Sequence, residues 1–240
     1  MFFRVNQRPL NLHHQNQLKP HQARLKLTKI KRSQKMTHKQ TIVLASGNTG
    51  KLKEFSRLLD DCGYTVKAQS EFSVTEVPET GLSFVENAII KARNAAKQTG
   101  LPALSDDSGI EVDALNGEPG IYSARFAGNA CNDEDNNNKL LKKLTGLPKE
   151  KRSARYQCVL VFMQHEKDPT PLIAQGSWEG HITEIPSGEG GFGYDPLFWV
   201  PTHNCTSAQL EKSVKNNISH RAVATRELIT RIKAKLTLLN

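Results

Sequence analysis

The stretch Thr41-Ile-Val-Leu-Ala-Ser-Gly-Asn-Thr-Gly-Lys-Leu-Lys-Glu-Phe-Ser-Arg-Leu-Leu-Asp60 carries the architecture in miniature. Thr41–Ala45 is a short apolar run with β-branched residues, as a buried strand requires. Two glycines then break it, and Leu52, Phe55, Leu58 and Leu59 recur at helical spacing until Gly63 ends the helix. The unit is strand, glycine-rich turn, helix.

Outward from this unit, residues 64–68 and 72–77 supply a second short strand and a connection. Ser83-Phe-Val-Glu86 is a capping box opening a helix that runs to about Gln98, where Gly100 and Pro102 stop it. Ala88, Ala92 and Ala95 give that helix a small-residue face suited to close packing. Asp106-Asp107-Ser108-Gly109 follows, expected as a loop at the end of a strand, and Ile110, Val112 and Ala114 then alternate with Glu111 and Asp113 as in a half-exposed strand. After the Asn116-Gly117 turn, residues 132–138 open a helix carrying Leu140, Leu141 and Leu144. Ala154–Gln164 reads as a largely buried strand. Asp168-Pro-Thr-Pro171 turns it, and residues 172–184 return as its hairpin partner. Residues 186–201 read as a loop rich in glycine and aromatics. Two helical segments, about 206–214 and 219–237, close the chain, the second capped by Ser219. Mixed strands and helices around one central sheet predict an α/β fold.

A chain of 240 residues suits one domain or two small lobes sharing a core. Its formal charge of +9 suggests a nucleic-acid partner until the charge is located. Residues 1–35 hold nine Lys or Arg and no Asp or Glu, so the 24 basic and 24 acidic residues from Met36 onward balance. A neutral body argues against stable nucleic-acid binding. The basic stretch has no sustained apolar run, so it reads as neither secretory signal nor membrane anchor. It is expected to be a disordered extension or one added by a start read too early, with residues 36–240 as the working domain and Met36 as a natural start. Cys62, Cys131, Cys158 and Cys205 show no metal-ligand spacing and read as reduced thiols of a cytoplasmic protein.

Four constellations could carry chemistry. Ser46-Gly-Asn-Thr-Gly-Lys51, a glycine turn at a helix N-terminus, offers backbone N–H groups and a lysine to phosphates. Its spacing is not that of a Walker loop, and alone it could be a plain tight turn. Asp106 and Asp107 are costly to bring together unless a cation shares them. Magnesium takes such oxygen ligands, with Glu79 as a further candidate; a solvated acidic turn is the bland alternative. In Gly190-Gly-Phe-Gly-Tyr-Asp-Pro196, glycines let a flat ligand approach, and Phe192 or Tyr194 could stack on a base, unless both are core. Lys215 with Ser219-His220-Arg221 could present fixed donors from the last helix, or be an ordinary first turn.

Together these stretches resemble one family, the inosine/xanthosine triphosphate pyrophosphatases, over roughly Gln40 to Lys235. The resemblance rests on LASGNTGKLKEF, ETGLSFVENAIIKA, ALSDDSGIEVDALNGEPGIYSAR, GGFGYDP and SHRA in the family's order and spacing. It implies an elongated mixed sheet flanked by helices, with two lobes bounding a nucleotide cleft, in a homodimer. It also implies a Mg2+-dependent hydrolysis of ITP, dITP or XTP to the monophosphate and pyrophosphate. Carried over residue by residue, the triphosphate loop falls on Ser46, Gly47, Asn48, Thr49, Gly50 and Lys51. The proton acceptor and metal ligand falls on Asp107, with Ser108 beside it touching substrate, and the second metal carboxylate on Glu79. Base recognition falls on Phe192, Gly193, Tyr194 and Asp195, and further nucleotide contacts on Lys215, His220 and Arg221. Lys91 is carried over as a phosphate contact, whereas Glu86 is given no role beyond capping its helix. Two rivals stand beside this reading: a nucleotide sensor without hydrolysis, which retention of Asp107 and Glu79 opposes, and a nucleic-acid-associated protein recruited by its basic stretch.

Overall fold

Strand β1 (Gln40–Leu44) runs into helix α1 (Thr49–Asp60), which returns the chain to β2 (Tyr64–Ala68), parallel to β1 with Leu44 opposite Ala68. Helix α2 (Phe84–Thr99) crosses to β3 (Ala103–Val112), which pairs with the other edge of β1, again parallel. Beyond β3 the sheet turns antiparallel through β4 (Ser153–Met163), β5 (Leu172–Ile182), β6 (Phe198–Val200) and β7 (Cys205–Thr206). The result is one seven-stranded sheet in the order β2-β1-β3-β4-β5-β6-β7. Helices α3 (Asp133–Lys143), α4 (Lys212–Ile218) and α5 (His220–Leu238) complete the fold. The computed structural model describes residues 39–238; the basic stretch 1–35 and Met36 lie outside the described residues.

Alternation along β1 sorts the first two layers. Ile42 and Leu44 pack with Phe55 and Leu59 of α1 and with Ala224, Leu228 and Ile232 of α5. Val43 and Ala45 pack on the opposite face with Ala88, Ala92, Ala95 and Ala96 of α2. These alanines let α2 approach the sheet closely. Helices on both faces explain why β4 is buried continuously from Cys158 to Met163. A third core gathers Ile110, Val112, Tyr156, Trp178 and Phe198 with Leu140 of α3 and Leu144 just beyond its end. Strand β3 therefore links the cores: Leu104 belongs to the first and Ile110 to the third.

On β5, buried Ala174, Gly176 and Trp178 alternate with exposed Gln175, Ser177 and Glu179. Gly176 is required there: a Cβ would lie 2.1 Å from the carbonyl oxygen of His220, so α5 rests directly on the β5 backbone. No helix among the described residues is long and apolar enough to cross a membrane.

Three local expectations need correction. Asp106 and Asp107 lie in the middle of a ten-residue strand, not in a loop, because β4 pairs with β3 throughout that stretch. Phe198–Val200, read as loop, is strand β6. The helix expected over 206–214 begins instead at Lys212, after a separate 3-10 turn at Ser207–Gln209; extended Leu210 breaks the run.

Candidate active site

Strand β1 ends opposite Leu104, whereas β3 continues to Val112, which leaves an open edge beside Asp106. The chain leaves β1 toward α1 on one face and leaves β2 toward α2 on the other. Such a divergence at the carboxyl ends of parallel strands opens a crevice where ligands bind. A cavity of about 290 Å³ occupies it, lined by Ser46, Gly47, Lys51, Glu79, Lys91 and Asp106 among others.

Because side chains alternate along a strand, the adjacent carboxylates part company. Asp106 meets Lys51 of α1 at 2.6 Å and Arg221 of α5 at 3.5 Å, and its side chain is 1% exposed. Asp107 points toward α2, where Lys91 Nζ donates to Oδ1 at 2.7 Å. Lys91 also reaches Glu79 at 2.8 Å, and Arg125 stands 3.7 Å from Glu79. The expectation that one cation shares Asp106 and Asp107 is therefore corrected. The pair that converges on a single cationic position is Glu79 with Asp107, and the Lys91 ammonium occupies that position.

The electrostatics differ accordingly. Burial disfavours ionisation of Asp106, but Lys51 and Arg221 outweigh it and hold the carboxyl well below its usual range. Burial dominates at Asp107 and, with Glu79 and Asp106 nearby, raises its pKa against the opposing pull of Lys91. The proton affinity of Lys91 is raised, since Asp107 and Glu79 outweigh its own desolvation.

Whether magnesium fits can be judged from the donors. Glu79 and Asp107 offer hard oxygens around a position that already holds a positive charge. Magnesium is commonly held by one or two carboxylates together with substrate phosphates, so the pair suits it. Asp106 stands apart from them, its Oδ2 engaged by Lys51 and Arg221.

The glycine turn departs from a simple amide cradle. Asn48 caps α1, its Oδ1 accepting the N–H groups of Gly50 at 2.8 Å and Lys51 at 3.1 Å, while its own N–H donates to Ser46 Oγ. Two of the amides expected to meet phosphate are thus taken up by the cap. The positive helix end and the Lys51 side chain remain directed at the crevice.

The aromatic loop is organised by Asp195, which is 2% exposed. Its carboxylate accepts from the Phe192 N–H at 2.9 Å, from Ser207 Oγ at 2.9 Å and from the Tyr156 hydroxyl at 3.3 Å, and it pairs with Lys215. Phe192 stands 63% exposed, with Lys215 Nζ 5.4 Å from its ring centre. Tyr194 is placed differently from the expectation of stacking on a base. Its ring is buried in the third core and its hydroxyl donates to the Ser123 carbonyl at 2.8 Å. His220 is buried, stacked on Tyr156 at 4.8 Å, and burial with neighbouring Arg221 and Lys215 keeps its imidazole neutral. Ser219 Oγ caps α5 by accepting the Ala222 N–H at 3.3 Å.

Two groups emerge. Lys51, Asp106, Ser108 and Arg221 form one contact chain, with Glu79, Lys91 and Asp107 beside it. Phe192, Asp195, Lys215, Tyr156 and His220 form the second, joined to the first where His220 precedes Arg221. Asp106 Oδ1, His220 Nδ1 and Arg221 Nε are buried at this junction without hydrogen-bond partners. Unpartnered buried polar atoms are costly, and a ligand arriving there would relieve them. Arg125, Tyr156 and Ser207 were not singled out by the sequence. Each reaches the site through pairing across the fold, for which no local pattern exists.

Comparison with known proteins identifies relatives of the whole described body. The chain is 59% identical over 192 residues to the dITP/XTP pyrophosphatase of Photobacterium profundum, covering 80% of this chain and 98% of that protein. A HAM1 protein from Coxiella burnetii superposes with a TM-score of 0.79 at 50% identity, covering 81% of this chain and 99% of that one. The Ham1 protein of Staphylococcus aureus gives 0.76 at 43% identity, with 82% and 100% covered. The sequence pattern of the Ham1 family matches residues 42–231, and the chain belongs to that family.

Proposed function

We propose that this protein hydrolyses non-standard purine nucleoside triphosphates, ITP, dITP and XTP, to the monophosphate and pyrophosphate, using Mg2+. The observation that carries the reading is the convergence of Glu79 and Asp107 on one cationic position, beside a crevice lined by Lys51 and Lys91. The similarity to a Photobacterium profundum protein named a dITP/XTP pyrophosphatase supports it.

Glu79 and Asp107 would hold the magnesium ion, which when bound neutralises phosphate charge. Lys91 and, from α1, Lys51 line that crevice and would pair with phosphate oxygens. Asp107 accepts a proton from water as the water oxygen bonds to the α-phosphorus. The bond from that phosphorus to its bridging oxygen breaks, and pyrophosphate leaves with the electron pair. Asp106 keeps Lys51 and Arg221 in place and takes no proton. Phe192 provides the stacking surface for the purine, with His220 and Arg221 at the inner end of the same path. Polar groups satisfied by a 6-oxo purine and left unpaired by a 6-amino one would give the selectivity.

The resemblance extends the proposal to a homodimer working in the cytoplasm without stable nucleic-acid binding. Steady-state rates of pyrophosphate release on a panel of nucleoside triphosphates test the reading. ITP, dITP and XTP should exceed ATP and the pyrimidine triphosphates in kcat/KM by orders of magnitude; equal rates on ATP would defeat it.

A further inference from the structure

Phe192 is a large aromatic left mostly in solvent, yet the backbone around it is not loose. Its own N–H donates to Asp195. The N–H of the next residue, Gly193, donates to Asp133 Oδ2 at 2.6 Å, and the Gly193 carbonyl accepts from Asn137 Nδ2 at 2.9 Å. Asp133 and Asn137 are four residues apart on α3, one turn above the other, so a single helix face grips both polar groups of one glycine. Gly191 and Gly193 adopt φ of +82° and +63°, the left-handed conformation that favours glycine. One residue further on, the Tyr194 hydroxyl is fixed to Ser123. The peptides on both sides of Phe192 are therefore anchored to different elements, and the ring projects from a frame that α3 completes.

We infer that Asp133 and Asn137 are positioning residues for the base: through Gly193 they hold the Phe192 ring where a purine stacks, so that affinity for the nucleobase is set in part from α3. This rests on the reading of Phe192 as the base platform. A stacking surface gives its full contribution only when its orientation is fixed before the ligand arrives, since ordering it on binding would subtract from affinity. The two contacts are chemically distinct. Asp133 supplies an acceptor, which Asn can replace. Asn137 supplies a donor, which an ionised Asp cannot.

The test measures pyrophosphate release from ITP by the full-length magnesium enzyme, with thermal melting as the folding control. Asp133→Ala and Asn137→Asp should each raise KM about 3- to 30-fold, the usual worth of such a hydrogen bond, with kcat within about threefold of wild type. Asp133→Asn should stay near wild type. In a Phe192→Ala background the same changes should have little further effect on KM, because they act through that ring. Unchanged KM in both Asp133→Ala and Asn137→Asp, while Phe192→Ala alone raises it, overturns the inference and leaves the platform reading intact. Increases that persist in full without the ring also overturn it, because they would show a merely structural effect. If Phe192→Ala leaves KM unchanged, the platform reading falls and the inference falls with it.

Discussion

Asp106 and Asp107 are consecutive in sequence but serve opposite faces of one sheet, Asp106 bound to Lys51 and Arg221 and Asp107 to Lys91. The geometry of β3 thereby separates a carboxylate held in a buried ion pair from the one that converges with Glu79 on Lys91.

Asp106→Asn should destabilise the protein by about 2–4 kcal/mol at pH 7, near the range for breaking a buried ion pair but moderated because Lys51 retains 22% exposure. The folded pKa of Asp106 is lowered, so its contribution is present above the ordinary carboxylate value of 3.8 and is lost as pH falls below it. Melting curves of wild type and mutant should keep a constant gap from neutral pH to about pH 5 and converge in stronger acid. A gap unaffected by acid would mean the carboxylate is not held ionised by its partners.

Gly176→Ala should push α5 off the sheet, because the added carbon meets the His220 carbonyl oxygen. Overpacking of this kind costs about 1–3 kcal/mol. It also displaces His220 and Arg221, so a lower melting temperature should come with a higher KM for ITP. A mutant with native KM would show that the start of α5 does not contact the nucleotide.

Phe192→Ala should weaken ITP binding by about 1–3 kcal/mol, the usual worth of stacking on one base. Because the ring is 63% exposed, folding should be nearly unaffected. A fall in kcat with unchanged KM would assign the stacking role to another residue.

Much of this was legible in residues 41–60, where an apolar run, two glycines and a 3.6-residue repeat specify strand, turn and helix before any tertiary contact is known. The Ser83 cap and the alanine face of α2 were equally local and both stand in the structure, although Glu86 accepts from the Leu82 N–H and the Ser83 hydroxyl and does not close the expected box on the Ser83 N–H. What the sequence hid were facts of pairing. Asp106-Asp107-Ser108-Gly109 has the composition of a turn, and only its ladder to Leu160, Val159, Cys158 and Gln157 makes it strand. Tyr194 and Phe192 look alike in a glycine-rich loop, yet one is core and the other is exposed. Asn48 reads as a donor to phosphate, yet as helix cap it consumes two of the loop's amides. Competition of this kind between a cap and a ligand is invisible to spacing.

The central claim is that Asp107 is both metal ligand and proton acceptor, and Asp107→Asn tests it most directly. The change is nearly isosteric, and Lys91 keeps Glu79 as a partner at 2.8 Å, so melting should stay close to wild type. General-base catalysis alone contributes about 10²–10⁴-fold, and losing a hard ligand should deepen the loss. Pyrophosphate release from ITP across a magnesium titration should therefore show kcat reduced by at least about 10²-fold at every concentration, with half-saturation shifted to higher magnesium. A well-folded mutant that keeps more than about a tenth of wild-type kcat would contradict the account and move the chemistry to another residue.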